Sequence, residues 1–318
     1  MYQVLLYYKY VQIDDPEKLK EQQKQLMERL GLKCRVIIAK EGINGTLEGE
    51  KEKTEEYIRE MIRDQRFADI HWKLSDGNGE SFPKINIKIR DEIVALNLGE
   101  EDIDPNETTG KYITADELHE LYEKGEEFYV VDMRNDYEQK VGHFEDAILM
   151  PMSVFRQLPE KIEEISHLKD KLVVTTCTGG IRCEKASGFL LKNGFTNVYQ
   201  LKGGMHTYIE KYPNQHFLGK LYVFDGRVVW GVNEEDPEHK VISSCELCAR
   251  ESDSYVDCSY LHCKDKRHFI ACENCADEQG NIFCTQACRQ EYYANKKTSS
   301  DLGILSGIIS SSVSEVND

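Results

Sequence analysis

Along the first hundred residues the spacing of apolar positions switches repeatedly between two periods. Gln3 to Gln12, Lys33 to Lys40, Gly45 to Glu48 and Ile70 to Leu74 carry the composition of strands, and Pro16 to Leu30 and Lys51 to Arg63 carry helical spacing. Pro16 suits the first turn of a helix, Gly31 suits its end, and Asn44-Gly45 predicts a tight hairpin between the two central strands. The order strand, helix, strand, strand, helix, strand predicts a ferredoxin-like (acylphosphatase-like) α+β sandwich over residues 1–98. A further strand, Lys84 to Arg90, alternates strictly and is expected to extend or edge that sheet. Its isoleucines would pack while Lys84, Lys88 and Arg90 point away. An exposed sheet of this kind is a candidate RNA platform, with Tyr7, Tyr8 and Tyr10 as stacking candidates if they do not simply pack.

Residues 99–110, GEEDIDPNETTG, are acidic and broken by proline and glycine, the composition of a linker. From Lys111 to about residue 215, strands and helices alternate, which predicts a parallel sheet covered on both faces. Thr114 and Glu117 form a capping box ahead of the helix Asp116 to Lys124. Tyr129-Val130-Val131 and Leu172-Val173-Val174 have the β-branched content of buried parallel strands. The second is followed by Cys177-Thr178-Gly179-Gly180-Ile181-Arg182-Cys183, and a helix is predicted over Glu184 to Lys192, stopped by Asn193-Gly194.

That loop is the chemical centre of the chain. A strand-to-helix turn aims backbone N–H groups and the positive end of a helix dipole at one point, where an anion is favoured. Arg182 adds positive charge. Such surroundings lower a thiol pKa from about 8.5 to roughly 3.5–7.5, so Cys177 is expected to be a nucleophile rather than a structural core cysteine. Cys183 lies on the next helical turn and is either a resolving or supporting thiol or buried filler.

The order Val130-Val131-Asp132-Met133-Arg134, Gly142-His143-Phe144, the cysteine loop, then Val198 to Gly204 resembles a rhodanese domain. The resemblance implies a doubly wound parallel sheet, a persulfide-carrying Cys177, and an Asp132–Arg134 ion pair beneath the loop. His143 is expected to fix a turn and is left out of the catalytic set. The string CTGGIRCEK, between an N-terminal αβ domain and a cysteine-rich tail, is similar to the oxygen-dependent tRNA uridine hydroxylases of the rhodanese superfamily. That likeness implies hydroxylation of the anticodon wobble uridine at carbon 5, with molecular oxygen as co-substrate and tRNA as partner. The implied site is Cys177 and Arg182 as catalytic residues, with Thr178, Gly179, Gly180, Ile181 and Cys183 completing the anion loop.

From residue 216 the character changes. Lys220 to Phe224 and Arg227 to Trp230 flank Asp225-Gly226, a hairpin signal. Then Cys245, Cys248, Cys258, Cys263, Cys272, Cys275, Cys284 and Cys288 follow in close pairs. Eight thiolates at such spacings suit two structural Zn²⁺ ions with four ligands each, His262 and His268 being possible substitutes. Spacing alone does not say which pairs share an ion. Residues 216–290 are therefore read as a zinc-binding region, and 291–318 as a mobile tail.

Composition then narrows the class. With 318 residues and 40% hydrophobic content there is room for several globular domains. A strand-like start at Tyr2 and short apolar runs predict neither a secretory signal nor a membrane span, hence a cytoplasmic protein. In a reducing compartment eleven cysteines favour metal ligands and catalytic thiols over disulfides. No flavin, haem or nicotinamide fingerprint is present. The net charge of −17 argues against a polyanionic partner unless basic groups are concentrated locally, as in Lys84, Lys88, Arg90 and in Lys264, Lys266, Arg267, His268. Two rival functions remain: a plain sulfurtransferase using Cys177, and a non-enzymatic zinc-containing RNA-binding protein. The extra domains favour a macromolecular substrate, which separates hydroxylation from the first; the cysteine loop would be surplus in the second.

Overall fold

In the computed structural model, which describes residues 1–264 and 268–296, alternation becomes architecture from the first strand. The N-terminal elements are β1 (Tyr2–Tyr10), α1 (Pro16–Leu30), β2 (Lys33–Ala39), β3 (Gly42–Glu50), α2 (Lys51–Met61), β4 (Lys73–Gly77) and β5 (Ile85–Ile89). They form one sheet in the order β4-β1-β3-β2-β5, with β5 added parallel to β2 at the edge. Asp15 caps α1, and Gly31 closes it at a φ of 69°. Both helices cover one sheet face, burying Leu5, Tyr7, Val36, Met27 and Tyr57 in a common core.

Two details of the sandwich differ from the sequence pattern. The turn joining β2 and β3 is Lys40-Glu41, since Ala39 pairs with Gly42, and Asn44-Gly45 lies inside β3 opposite Tyr8 and Tyr7. Gly45 is a space requirement, because a Cβ there would stand 2.7 Å from the Tyr7 ring. The sixth element also starts later than Ile70, which is buried in the core from the loop ahead of β4.

The next elements are β6 (Lys111–Ile113), α3 (Ala115–Lys124), β7 (Tyr129–Asp132), α4 (Asp136–Gln139), β8 (Gly142–Phe144), β9 (Ile148–Leu149), α5 (Leu158–Lys161), β10 (Leu172–Thr176), α6 (Ile181–Lys192), β11 (Asn197–Leu201) and α7 (Gly204–Lys211). Five of the strands make a wholly parallel sheet, β6-β11-β10-β7-β9. Val131 and Val173 enter the core on one face, and Val130 and Val174 the core on the other. The capping box forms, with the Glu117 N–H donating to Thr114 Oγ1 at 3.2 Å and the Thr114 N–H to Glu117 Oε2 at 2.8 Å. The acidic stretch 99–110 is laid along α6 rather than loose: Ile103 is buried, and the Gly110 N–H donates to Ser187 Oγ at 2.7 Å.

Beyond α7, β12 (Phe217–Gly219) pairs with β8, and β13 (Leu221–Tyr222) and β14 (Val229–Trp230) close a hairpin around Asp225-Gly226. Phe217, Leu221 and Val223 join the core that holds Val174. Met1–Val241 is one compact unit, and a second begins at Ile242. The second unit contains β15 (Tyr255–Asp257), β16 (His268–Ile270) and a helix over 286–296 whose Tyr292 and Tyr293 pack on Phe283. Of the basic cluster and the tail named above, Lys266, Arg267 and residues 297–318 lie outside the described residues. Among the described residues no helix is long and apolar enough to cross a membrane.

Candidate functional site: a cysteine loop beneath the N-terminal sheet

β10 carries Cys177 to the carboxyl end of the parallel sheet, where such folds place their sites. Helix α6 begins at Ile181, three residues before the expected Glu184, because Gly180 caps it in the left-handed region at a φ of 99°. Arg182 and Cys183 are therefore first-turn helical residues, and the dipole end points back at Cys177. The Gly180 N–H donates to Cys177 Sγ at 3.2 Å. Burial alone would raise the thiol pKa. It is outweighed by a hydrogen bond from the Cys183 thiol, the Arg182 charge and the backbone N–H groups of Cys183 and Arg182, which bring Cys177 down to about 6. Burial, then the Cys177 hydrogen bond and charge, push Cys183 the other way.

Arg182 is not aimed at open space. It forms a bidentate pair with the buried Glu138, at 2.5 Å from Nη1 to Oε1 and 2.8 Å from Nη2 to Oε2. Its Nη2 also donates to Thr178 Oγ1 at 3.3 Å. Beneath lies the expected pair of Arg134 and Asp132, 2.7 Å apart and fully buried, with Arg134 Nη2 also donating to the Gly142 carbonyl at 2.6 Å. His143 Nδ1 stands 2.9 Å from the Phe144 carbonyl, a local turn contact. Helix α7 locks the loop from the other side, its Met205 and His206 N–H groups donating to the Cys177 and Thr178 carbonyls at 2.9 and 3.0 Å. Gly204, at a φ of 68°, permits that approach, since a Cβ would stand 2.6 Å from the Cys177 oxygen.

The free face of the N-terminal sheet covers this loop. A Cβ at Gly179 would meet Leu6 at 2.9 Å, and one at Gly180 would meet the Tyr8 hydroxyl at 3.0 Å. Tyr8 donates to Glu184 Oε1 at 2.9 Å and Tyr10 to the Ile181 carbonyl at 3.4 Å. Glu184 also accepts from Tyr112, Gln200 and Thr109. Lys185, fully buried, meets Glu41, Glu92 and Asp102 at 2.7–2.8 Å, tying the β2–β3 turn and the connecting segment to α6. The sheet is thus no open platform: Tyr7 packs in its own core, and Tyr8 and Tyr10 hydrogen-bond across the domain boundary.

Between sheet and loop remains a cavity of about 670 Å³, within the range of ligand pockets. Thr178, Gly179, Ile181 and Arg182 form its floor, and Leu6, Tyr8, Ile93, His206 and Phe224 are among its apolar and polar walls. Cys177 has no exposed surface. Arg35, Arg90 and Arg156 also line the cavity; they are exposed, and among the described residues no carboxylate lies within ion-pair distance of them. Arg227, by contrast, is paired with Asp225 at 2.7 Å. Lys84 and Lys88 remain exposed on the edge strand, off the cavity wall.

Sequence reasoning found the loop but missed Glu138, Glu184, Lys185, Tyr8 and Lys73 as parts of the site. Each acts across a long sequence separation; Glu184 and Lys185 carry a local sign inside CTGGIRCEK, and Tyr8 reads from the sequence only as a stacking candidate.

In the second unit the cysteines form two interleaved quartets: Cys245, Cys248, Cys272 and Cys275, then Cys258, Cys263, Cys284 and Cys288. The first and third pairs share one centre, the second and fourth the other. Sulfur separations run from 3.4 Å for Cys263 and Cys284, through 3.5 Å for Cys248 and Cys272, to 3.8 Å for Cys284 and Cys288. Four thiolates at about 2.3 Å from a tetrahedral ion stand about 3.8 Å apart, whereas a disulfide needs about 2.05 Å. All eleven cysteines are free thiols. The quartets suit metal ions and need no histidine: His268 instead stacks on Tyr255 and bonds Asp257 at 3.0 Å, and His262 stands edge-on to Tyr260.

A thiol of lowered pKa at the end of a parallel strand, held by an α6 arginine and a buried Asp–Arg pair, defines a rhodanese-type domain. Family models agree in order: a UPF0176 acylphosphatase-like domain over residues 2–93, a rhodanese-like domain over 114–211 and a "Rhodanase C-terminal" region over 218–289. The chain is 41% identical over 288 residues to the tRNA uridine(34) hydroxylase of Cytophaga hutchinsonii, covering 91% of this chain and 90% of that one. It is 44% identical over 291 residues to that of Bacillus licheniformis (91% and 88%) and 44% over 295 residues to that of Staphylococcus carnosus (89% and 92%). The chain belongs to the tRNA uridine(34) hydroxylase family.

Proposed function

We propose that this chain is an oxidoreductase that hydroxylates the wobble uridine, position 34, of tRNA at carbon 5, with Cys177 as the essential thiol. Likeness to tRNA uridine(34) hydroxylases over about nine-tenths of the chain carries the reading, and a cavity closed by two domains over an acidic thiol supports it. The uracil is everted from the anticodon loop into that cavity, as nucleobase-modifying enzymes require. Arg35, Arg90 and Arg156 take flanking phosphates, concentrating positive charge where the net −17 would otherwise repel RNA. The Cys177 thiolate adds to uracil carbon 6, making carbon 5 electron-rich and open to oxidation. Molecular oxygen supplies the hydroxyl oxygen; its second atom leaves as water, drawing two electrons from an external reductant. Arg182, held by Glu138, keeps Thr178 and the loop backbone in place around the sulfur.

Because Cys177 is fully buried, the loop opens for attack or the sulfur is carried outward as a persulfide, longer by about 2.05 Å. The two cysteine quartets each hold a structural Zn²⁺. With tRNA as substrate, the protein works in the cytoplasm.

Nucleoside mass spectrometry of tRNA from cells lacking the protein tests this. Complementation with the parent restores 5-hydroxyuridine-derived nucleosides, and Cys177→Ala does not. Full restoration by Cys177→Ala would remove the thiol from the mechanism. An unchanged profile in a strain with no second route, joined to thiosulfate-to-cyanide turnover by the purified protein, would leave sulfur transfer as the activity.

A further inference from the structure

Two groups near the loop are buried with little counter-charge of their own, since the Arg182 guanidinium that acts on Cys177 is shared with Glu138. One is Cys177, whose surroundings favour the thiolate. The other is Lys73 at the start of β4, only 3% exposed. Among the described residues no carboxylate lies within ion-pair distance of Lys73. Its Nζ donates to the His71 carbonyl at a long 3.4 Å and stands 5.0 Å over the Tyr8 ring. Burial disfavours an ammonium with so little compensation and lowers the Lys73 pKa, so its charged form calls for an anion nearby. Neighbouring candidates are few. Glu184 acts on Lys73 but is already satisfied by Tyr8, Tyr112, Gln200 and Thr109. His71 and His206 are cationic when charged, and burial holds both well below the usual imidazole range. Glu138 is consumed by Arg182. That leaves the loop, and a Cβ on Gly179 would stand 3.9 Å from Lys73 Cε.

We infer that Lys73, supplied by the N-terminal domain, is the counter-ion of the Cys177 thiolate, so that the reactive centre is complete only when both domains are docked. The S–H bond of Cys177 breaks, its proton forms an N–H bond on the Lys73 amine, and a thiolate–ammonium pair results with no change in net charge. The inference rests on Cys177 being the reactive thiol. It assigns a task to the α+β domain that the rhodanese fold alone leaves unfilled, because the loop's own cation, Arg182, is shared with Glu138. The ordering of acidities agrees: burial lowers Lys73 to about 8, with the Cys177 and Glu184 charges holding it up, while Cys177 lies near 6. Between those values the proton resides on nitrogen and sulfur is charged. When the thiolate is spent in bond formation, Lys73 loses its partner and becomes the stronger acid, ready to return a proton. Lys73 acts through Cys177 and is a positioning residue.

The test is the pH dependence of Cys177 alkylation by iodoacetamide in the full-length protein, followed on the Cys177 peptide by mass spectrometry. In Lys73→Met the midpoint rises by about one unit, so the rate falls about tenfold at pH ~5 and about twofold at pH ~7; Lys73→Arg restores both. A midpoint in Lys73→Met equal to the parent's overturns the assignment. Should Lys73→Met fail to fold, the reciprocal measurement decides, because coupling between two sites must act in both directions. The Lys73 side-chain NMR titration in Cys177→Ala moves below that of the parent, and an unmoved titration overturns the inference. Neither readout uses tRNA. A paired Cys177 and Lys73 in a protein that leaves uridine 34 unmodified would refute the hydroxylase reading alone.

Discussion

Cys183 shapes the chemistry of Cys177 from the first turn of α6. Its thiol supplies the leading hydrogen bond that offsets burial of Cys177, and its own pKa is driven up, by burial first and then by Cys177, so one member of the pair is kept protonated. Replacing Cys183 with Ala removes that donor and leaves a small cavity. The expected result is a Cys177 midpoint that rises from about 6 toward the ordinary thiol value of about 8.5. Thiolate absorbance near neutral pH, taken as the difference between Cys183→Ala and the Cys177→Ala, Cys183→Ala double variant, measures it. The linkage has a definite sign. A thiol depressed in the folded state stabilises fully above its unfolded pKa, and that contribution is lost as pH falls through the folded value. The extra stability of the parent over Cys177→Ala therefore shrinks as pH falls from about 9 to about 6. The anion-loving loop was legible from its residue types, since strand, glycines and arginine are neighbours in the chain. That Arg182 answers to Glu138 was not legible, because 44 residues separate them.

Helix α6 does more than present a dipole. Its first turn holds the loop, Glu184 gathers hydroxyl donors from β1 and from Tyr112 beside it, and Lys185 binds three carboxylates from three different segments. Consecutive residues thus serve the thiol, the N-terminal sheet and the connecting stretch 99–110. Lys185 is fully buried while Glu41, Glu92 and Asp102 are partly solvated, so Lys185→Met leaves three like charges facing an apolar side chain. A loss of about 3 kcal/mol is expected, at the lower end for breaking a buried pair because the carboxylates can rehydrate. Urea unfolding of the variant checks it, and the transition should lose cooperativity as the α+β domain undocks. Local signals did well where contacts are local: Thr114 with Glu117, Pro16 and Gly31 at the ends of α1, and Asp225-Gly226 all act within a few residues. They failed at Asn44-Gly45, where packing of Tyr7 across β1 and β3, rather than a turn, demands the glycine. The early start of α6 has the same origin, since only tertiary support keeps Gly180 as a helix cap.

At the scale of the molecule, the cysteine region obeys a different principle from the sheets that precede it. Its core is built from the cysteines of the two quartets, Cys245, Cys258, Cys272 and Cys288 packing with Phe269 and Phe283, so little other apolar area would hold the fold without metal at quartets that could bind it. The paired spacings pointed to clusters that could hold metal, but the interleaved order appears only in three dimensions, because each quartet draws one pair from either side of a pair belonging to the other. Interleaving has an energetic consequence. A chain in which each pair served its own neighbour could lose one ion and keep half its structure; here the segment from Cys258 to Cys263 lies between two ligand pairs of the first centre, and Cys272 to Cys275 between two of the second. With one Zn²⁺ in each quartet, as proposed, Cys245→Ser should therefore release close to both ions rather than one, read by elemental analysis after dialysis against a mild chelator. Hydrogen exchange should show protection lost across residues 245–288 together. The unit from Met1 to Val241 has its own two-sided sheet core and its own sandwich core, so its thermal transition should stay within a few degrees of the parent's. Loss of a single ion with protection retained around Cys258 and Cys284 would mean the two centres fold independently, and the interlock would carry no cooperativity.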